Sequence, residues 1–387
     1  MTVADRPRIA ILAHSTNPRG GVVHALELGD ALSRLGRSVV VHAPAAQGTG
    51  FFRASLCGTA LVPASRAGAD TTAMVEARIA DYVRYFDDPA HRRFDVFHAQ
   101  DGISGNALAT LKERGLIAGF ARTVHHVDTF LDPRLTALQA RSIVQADELF
   151  VVSRRWQDYL RERFGRDSTL VGNGVDRGRF SSAPDGRENG LRERLGIGPG
   201  PVFLAVGGIE ERKNTVRILE AFAQVLQVTP HARLVIAGGA SVLDHHDYQA
   251  RFAAARTRIG LPDAVVKIAG QVPDADMPAL YRIADALVFP SVNEGFGLVV
   301  LEAMASGRPA VVSKIAPFTE HLGADDVAWC NPFVVQSIAD AMLMSLAEPL
   351  RARLIERGHR AAARHDWRHT AEAHLPSYAA LREVEHA

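Results

Sequence analysis

The sequence is poor in cysteine, in long apolar runs and in excess charge of either sign. Two cysteines, Cys57 and Cys330, lie far apart in 387 residues; they form no metal-ligand spacing and favour a reduced, cytoplasmic setting. The net charge is +1, which gives no bulk attraction to nucleic acid. The N-terminal stretch MTVADRPRIAILAH holds no apolar segment long enough for a signal peptide or a membrane span. No strongly basic amphipathic helix is evident, although weak peripheral membrane contact stays open.

The length and the apolar pattern predict two domains of similar construction. A chain of 387 residues exceeds what one ordinary core accommodates. Short apolar runs typical of buried strands begin near Arg8, Ser38, Asp95, Ala121, Glu148 and Thr169, and again near Val202, Arg233, Val265, Ala286, Pro309 and Val327. Helical patterns alternate with these runs, which indicates parallel sheets with helices on both faces. The predicted fold class is therefore α/β, with two doubly wound, Rossmann-like domains.

Composition shifts suggest where the domains begin and end. A Gly-, Pro- and charge-rich stretch over residues 180–200 is typical of a linker with a short helix. We assign residues 1–176 to an N-terminal domain and residues 177–364 to a C-terminal domain. The segment 365–387 is predicted to be a helix that crosses back to the N-terminal domain. No element is assigned to the Gly-, Ala- and Ser-rich residues 48–70.

Polar and glycine residues follow many of the predicted strands. In open α/β sheets, ligands bind outside the carboxyl ends of the strands. The first domain offers Gly20, Gly21, His98, His125, His126 and Asp128 there, and the second offers Glu210, Arg212, Lys213, Gly238, Gly239, Glu294, Phe296, Gly297 and Glu302. The second set suits a nucleotide with a diphosphate, because arginine and lysine neutralise phosphate oxygens and a carboxylate can accept from both ribose hydroxyls. Glycine amides at a helix start add further donors.

Several of these residues also have simpler interpretations. Adjacent Arg212 and Lys213 are commonly a solvated surface pair, and Gly20-Gly21 is compatible with plain turn geometry because it is not the GxGxxG pattern. The pair His125-His126 could bind a metal. Neighbouring residues in a strand point to opposite faces, however, and no third ligand is spaced near them. No metal site is therefore predicted.

The stretch PSVNEGFGLVVLEAMASG, residues 290–307, is the most informative part of the chain. It predicts a strand end, a glycine-bearing loop and an apolar helix, with Glu294 in the loop and Glu302 inside the helix. A carboxylate in an apolar helix is costly unless it is paired or hydrogen-bonded. The helix N-terminus would favour acids electrostatically in any case. The glycines at 295 and 297 nevertheless favour close approach of a ligand to the backbone.

Taken in order, these motifs resemble those of retaining glycosyltransferases of the GT-B fold, the large family-4 or group 1 type that uses nucleotide-sugar donors. The resemblance covers nearly the whole chain, and its most specific motif is E-x7-E from Glu294 to Glu302. The other motifs that carry it are the Gly20-Gly21 loop, the strand-end His125, NGVD at residues 173–176, VGGIEERKN with Arg212 and Lys213, and AGG at residues 237–239. The resemblance implies that the two domains face each other across a cleft.

The resemblance also implies roles for individual residues. Glu302 would hold the donor ribose, and Arg212 and Lys213 would stabilise the leaving diphosphate. Glu294 would contact the donor sugar and phosphate, and His125 would lie near the donor sugar. The remaining donor-binding residues that it implies are Gly20, Gly21, Gly207, Gly208, Gly238, Gly239, Phe296, Gly297 and Leu298.

Two positions depart from the family pattern. Many relatives carry an arginine where this chain has Gly208, so Arg212 takes the phosphate role, as in an R-K-N subgroup. The region near Asn331-Pro332 lacks the usual acidic residue.

The implied reaction moves a hexosyl unit from a nucleotide diphosphate sugar to an acceptor hydroxyl, with retention and without metal or cofactor. The acceptor could be a small molecule, a glycan or a lipid-linked acceptor, and no nucleic-acid partner is expected. Alternatives are a GT-B phosphorylase, a nucleotide-sugar epimerase and a non-catalytic subunit that binds sugar nucleotides. The sequence leaves open the sugar, the base, the acceptor and the oligomeric state.

Overall fold

A computed structural model describes residues 7–66, 68, 70–239 and 246–385, with side chains described up to residue 382. The chain divides into two compact units. The first comprises the residues up to Asn173 together with those from Trp367 onward, and the second runs from Gly174 to Asp366. The sequence placed the corresponding boundaries at residues 176 and 364.

The first unit contains a seven-stranded parallel sheet. Its strands are β1 (Arg8–Leu12), β2 (Ser38–Ala45), β3 (Gly58–Pro63), β4 (Val96–Ala99), β5 (Ala121–Val124), β6 (Glu148–Val151) and β7 (Thr169–Leu170). They lie in the order β3-β2-β1-β4-β5-β6-β7, and every pair is parallel. The direction of winding reverses between β1 and β4. Strand β3 lies within the stretch to which the sequence assigned no element, because Gly58 and Pro63 are weak strand signals and this edge strand is mostly exposed.

Helices cover both faces of this sheet. They are α1 (Gly20–Arg34), α2 (Thr71–Asp87), α3 (Gly102–Glu113), α4 (Pro133–Val144), α5 (Arg154–Phe164) and, at the end of the chain, α14 (Trp367–Glu385). Helix α1 begins two residues earlier than the sequence predicted, so that Gly20 and Gly21 form its first turn. Helix α14 packs against α1, β4 and β6.

The second unit contains a six-stranded parallel sheet. Its strands are β8 (Val202–Val206), β9 (Arg233–Ala237), β10 (Val266–Gly270), β11 (Ala286–Phe289), β12 (Ala310–Ser313) and β13 (Ala328–Cys330), in the order β10-β9-β8-β11-β12-β13. Here the winding reverses between β8 and β11. The predicted fold class, two doubly wound α/β domains, is therefore confirmed.

The helices of the second unit follow its strands in the same alternating way. They are α6 (Glu188–Arg194), α7 (Thr215–Val228), α8 (His246–Ile259), α9 (Met277–Ile283), α10 (Leu298–Ala305), α11 (Phe318–His321), α12 (Val335–Leu346) and α13 (Leu350–Arg364). A short 3₁₀ helix, Glu211–Lys213, precedes α7. The core is built by the apolar strand residues, among them Phe203, which is fully buried and meets Phe222 edge to face.

Within the described ranges, no helix combines the length and the apolarity that crossing a bilayer requires.

Candidate active site

The reversal of winding in the second unit explains where its polar residues converge. Strands β8 and β11 are neighbours, and both are parallel, so the loops that leave their carboxyl ends lie side by side. Arg212 and Lys213 are carried by the first loop and Glu294 by the second. The two loops are joined directly, since the amide of Val292 donates to the carbonyl of Arg212 at 3.0 Å. This is the usual place for a ligand in a doubly wound sheet.

Glu294 holds both cations of the first loop. Its Oε1 accepts from Nη1 of Arg212 at 2.6 Å and from Nζ of Lys213 at 2.8 Å. The side chain of Glu294 is 8% exposed, that of Lys213 is 12% exposed and that of Arg212 is 33% exposed. A second carboxylate, Glu210, lies 3.4 Å from Arg212. The sequence placed the Glu294 loop opposite Arg212 and Lys213 but predicted no ion pair between them, because residues 81 and 82 positions apart meet only through the strand order.

The opposite charges of Glu294 and the two cations stabilise one another. Burial raises the pKa of Glu294, but the neighbouring Lys213 and Arg212 outweigh it, so that the pKa lies below its ordinary value. Burial also lowers the pKa of Lys213, against the attraction of Glu294. The ammonium of Lys213 lies 4.4 Å from the ring centre of Phe289, a cation–π contact. Lys213 is thus a desolvated cation with a strong need for an anionic partner.

Glycines of the second unit let this lysine lie against the backbone. A Cβ at Gly207, whose φ is +126°, would lie 2.5 Å from Cε of Lys213. A Cβ at Gly238, whose φ is +146°, would lie 2.2 Å from the amide nitrogen of Gly208. A Cβ at the next residue, Gly239, would lie 3.4 Å from the side chain of Gln271. Gly207 and Gly238 are therefore required by the close packing of two loops, whereas Gly239 has room for a Cβ.

The same packing changes the physical basis of one prediction. The sequence suggested that glycine amides of this unit add donors for phosphate. The amides of Gly207 and Gly208 instead donate to the carbonyl of Ala237, at 2.8 and 3.3 Å, and that of Gly238 donates to the carbonyl of Gly270 at 2.7 Å. These three amides are used by the fold, and what the glycines provide is backbone proximity. A direct contact of these loops with a donor stays a prediction.

Asn214 anchors the cationic loop, a role that the sequence did not assign. It is 2% exposed and adopts a left-handed conformation with φ of +62°. Its amide nitrogen donates to the carbonyls of Pro290 and Pro332, at 3.0 and 2.7 Å, and its Oδ1 accepts from Arg217. The available signal was its position between the Arg-Lys pair and a helix, since asparagine tolerates this conformation better than other non-glycine residues.

Gly297 precedes helix α10 and shapes its start. Its φ is +97°, and a Cβ there would lie 2.5 Å from Cε1 of Phe318. Leu298 begins the helix, and within its first turn the amide of Val300 donates to the carbonyl of Gly297 at 3.0 Å. Phe296 is 5% exposed and stacks on His321 at 4.2 Å, so its ring supports the loop. Burial, and then His365, lowers the pKa of His321 to about 3, which keeps that ring neutral.

Glu302 has the partner that a carboxylate in an apolar helix needs. Its Oε2 accepts from the hydroxyl of Tyr281 at 2.7 Å. Tyr281 lies in α9 and is fully buried, and burial raises the pKa of its phenol well above the ordinary value. The phenol therefore stays a donor and orients Glu302. The sequence missed Tyr281, although a tyrosine in a buried helix always has a hydroxyl that needs a partner.

In the first unit, His125 follows β5 and lies against the first turn of α1. A Cβ at Gly21 would lie 3.5 Å from Cδ2 of His125, whereas Gly20 faces open space. The ring belongs to a set that we call the histidine cluster, formed by His24, His98, His125 and His374. His24 meets His125 edge to face, with ring centres 4.7 Å apart. Burial lowers the pKa of every member, to about 4 for His24 and about 3 for His374.

Of the other strand-end residues of the first unit, His98 belongs to the histidine cluster, whereas His126 and Asp128 lie outside it. His98 is fully buried and hydrogen-bonded at both ring nitrogens. His126 pairs instead with Asp128, 3.3 Å away, and both side chains are more than a third exposed. Across the described residues, no three His, Cys, Asp or Glu side chains converge as metal ligands would. A metal-independent reaction stays a prediction.

Comparison with known families now bears on this geometry. Residues 189–361 match the family described as "Glycosyl transferases group 1", and residues 18–179 match "Glycosyltransferase Family 4". The chain is a group 1 glycosyltransferase. The match in its second half spans the cation pair, Glu294, Tyr281 and Glu302, and the match in its first half spans Gly20 and His125.

The glycosyltransferase also resembles individual proteins along most of its length. It is 29% identical over 376 residues to a phosphatidyl-myo-inositol mannosyltransferase of Mycobacterium tuberculosis, covering 92% of both chains. Its fold matches that of sucrose-phosphate synthase from Thermosynechococcus elongatus, with a TM-score of 0.78, 21% identity and coverage of 97% and 99%. Anabaena HepE, solved with UDP and glucose, matches with a TM-score of 0.77, 18% identity and coverage of 97% and 100%. The predicted GT-B fold is thereby confirmed.

Proposed function

We propose that this glycosyltransferase moves a hexosyl unit from a nucleotide diphosphate sugar to an acceptor hydroxyl, retaining the anomeric configuration and using no metal. The observation that carries the proposal is the partly buried pair Arg212 and Lys213, held by Glu294 at the switch point of the second sheet. Relatives support the donor class, since HepE was solved with UDP-glucose and the mycobacterial relative is named as a mannosyltransferase.

The cation pair is suited to a leaving diphosphate. Arg212 and Lys213 together carry two positive charges, which Glu294 and Glu210 compensate when no donor is bound. A diphosphate can take over this compensation, and its negative charge grows as the bond to the sugar breaks. Cations that are already positioned and desolvated stabilise that growing charge with little reorganisation. The side chain of Glu294 then acts by holding the cations in place, besides any contact with the donor sugar.

The nucleoside would be held at the other end of the same loop and helix. Glu302 is oriented by Tyr281 and would accept from the ribose hydroxyls. The backbone of Phe296, Gly297 and Leu298 would contact the sugar and phosphate at the start of α10. His125 would contact the transferred sugar. No enzymatic nucleophile is assigned, and the leaving phosphate would accept the proton of the acceptor hydroxyl.

The acceptor is proposed to be a small molecule, a glycan or a lipid-linked acceptor in the cytoplasm. The name of the mycobacterial relative contains an inositol lipid, and a second relative is a D-inositol 3-phosphate glycosyltransferase of Salinispora arenicola. Inositol-containing acceptors are therefore the first to test.

The proposal is tested in two steps. A thermal-shift screen over nucleotide diphosphate sugars comes first, because a ligand that binds the folded state raises the melting temperature. Transfer with the best donor is then measured for Lys213→Ala and Arg212→Ala, with Arg258→Ala as the control, since Arg258 is 67% exposed and lies on α8. We expect kcat to fall about 10²-fold or more in the first two variants and to stay unchanged in the control.

Several outcomes would contradict the proposal. Wild-type rates in either cation variant would remove the phosphate role. Product made from inorganic phosphate without nucleotide would identify a phosphorylase, and free nucleotide with no acceptor dependence would identify an epimerase. Donor binding without turnover across acceptors would indicate a binding subunit. An inverted anomeric centre, or loss of activity with a chelator, would refute retention or metal independence.

A further inference from the structure

Gln100 lies between two members of the histidine cluster. It follows β4 directly and is 2% exposed. Its Oε1 lies 3.0 Å from Nε2 of His125, and its Nε2 lies 3.4 Å from Nε2 of His98. A single buried amide therefore touches one ring nitrogen of each histidine.

The chemistry of the amide decides where the protons are. An amide oxygen only accepts and an amide nitrogen only donates. With Oε1 of Gln100 towards His125 and Nε2 of Gln100 towards His98, the Nε2 of His125 carries a hydrogen and the Nε2 of His98 carries a lone pair. The tautomer of each ring is then set by one side chain.

The other partners of His98 are two hydroxyls, which can each donate or accept and are therefore compatible with this assignment. Its Nδ1 lies 2.7 Å from the hydroxyl of Tyr378 in α14, and its Nε2 lies 2.8 Å from Oγ1 of Thr123. An Nδ1–H tautomer lets His98 donate to Tyr378 and accept from Thr123. A continuous chain of hydrogen bonds thus leads from α14 through His98 and Gln100 to His125.

We propose that Gln100 is a positioning residue that holds His125 as the neutral Nε2–H tautomer, which leaves Nδ1 as a hydrogen-bond acceptor. The nitrogen offered to a ligand then accepts from a hydroxyl, as a sugar would supply, and does not donate to a phosphate. The identity of that hydroxyl rests on the proposed function. The tautomer itself follows from Gln100 and is testable without turnover.

The surroundings of His125 disfavour its cationic form. Burial lowers the pKa of His125 well below its ordinary value, and four neighbours lower it further: His24 from α1, Arg122 from β5, the adjacent His126, and His14 from the loop after β1. Gln100 adds no charge to this set. A carboxylate in its place would attract a second proton to His125.

The test is the protonation of His125 observed directly in the full-length protein. Histidine labelled with ¹⁵N shows in long-range ¹H–¹⁵N spectra which ring nitrogen carries hydrogen, and His125→Asn assigns the signal. We expect wild-type His125 to be protonated at Nε2 only, from pH 6 to pH 8. Gln100→Glu should make it titrate within this range, and Gln100→Met should yield a mixture of tautomers. The control Gln157→Glu, on α5 with Ser168 as its partner, should leave the signal unchanged.

Specific results would overturn the proposal. It fails if wild-type His125 is protonated at Nδ1 or at both nitrogens at pH 7, or if Gln100→Met leaves a pure Nε2–H ring. It also fails if Gln100→Glu stays neutral at pH 6.

A second measurement connects the tautomer with catalysis. With a donor and acceptor in hand, kcat/KM of Gln100→Glu should fall about tenfold from pH 8 to pH 6, because the acceptor nitrogen becomes protonated, whereas the wild type should not show this loss. If the spectra behave as expected but kcat/KM does not follow, Gln100 sets the tautomer and the role of His125 in the proposed function is wrong. If no transfer is found at all, the spectra still decide the role of Gln100.

Discussion

Replacing Glu294 by glutamine is the sharpest perturbation of the second unit. The change keeps the shape of the side chain and removes the one negative charge that both Arg212 and Lys213 contact within 3 Å. Removing one partner of a buried ion pair costs about 3–5 kcal/mol, because the remaining charge is left desolvated. Arg212 is a third exposed and partly screened, so the lower end, about 3 kcal/mol, is expected.

The loss should be visible in the melting temperature. The second unit spans Gly174 to Asp366, and for a unit of this size each kcal/mol shifts the midpoint by about 2–4 °C. Calorimetry of Glu294→Gln should therefore show the second unit melting about 6–12 °C below the wild type. The matched control is Glu356→Gln, whose i,i+4 pair with Arg360 is 61% exposed at both partners and should cost less than about 0.5 kcal/mol.

The pH dependence gives an independent check on the same charge. The folded-state pKa of Glu294 is lowered from its ordinary value of 4.5, so its contribution is fully present above that value and is lost as pH falls through the folded pKa. The gap between the wild type and Glu294→Gln should therefore close in acid. If Glu294→Gln melts within 2 °C of the control at pH 7, Arg212 and Lys213 are not held by the charge of Glu294, and this explanation of the ion pairs is refuted.

Three further expectations follow from individual contacts. Gly297→Ala should lower the free energy of unfolding by about 2–4 kcal/mol, because the new Cβ meets Phe318 and the conformation is left-handed. The control Gly260→Ala, with φ of +75° and open space around the new Cβ, should lower it by about 1–2 kcal/mol. Equal losses in the two variants would contradict the clash between Cβ and Phe318. Tyr281→Phe should lower the free energy of unfolding by about 1 kcal/mol and weaken the binding of a nucleoside diphosphate, measured by calorimetry. An unchanged affinity would show that the hydroxyl of Tyr281 does not orient Glu302. The first unit should lose stability as the pH falls from 6.5 towards 4, by up to about 1.4 kcal/mol per pH unit for each buried member of the histidine cluster. The reason is that histidines of the unfolded chain take up protons in this pH range and the buried rings of the folded protein do not. A melting temperature of the first unit that does not change with pH would contradict this expectation.

Local pattern was sufficient for most of the fold. Strands such as Val202–Val206 and Ala286–Phe289 are continuous apolar runs, as strands buried on both faces must be, and their positions in the sequence were evident. The position of edge strand β3 was not evident from the sequence, because an exposed edge strand needs few apolar residues. The start of α1 was placed two residues late, since glycines at a helix start resemble a loop.

The candidate site was predictable as a set of residues and not as an arrangement. Glu302 required a partner because it lies in an apolar helix, yet nothing local identified Tyr281, 21 residues earlier in the chain. The glycines at 207 and 238 were predicted to bind the donor, with glycine amides of this unit as hydrogen-bond donors. That they approach a lysine stem and another loop, with their amides already used, depends on packing between β8 and β9.

The sequence by itself determined the alternation of strands and helices, the two α/β domains and the residue types at the strand ends, because burial and backbone geometry act over a few neighbouring positions. The tertiary structure alone decided that Arg212 and Lys213 share one carboxylate and that Gln100 sets the protonation of His125. Those contacts depend on strand order, which places distant loops side by side. The ionisation of a side chain then depends on the groups that the fold brings within 3 Å of it, and these neighbours cannot be identified from the local sequence.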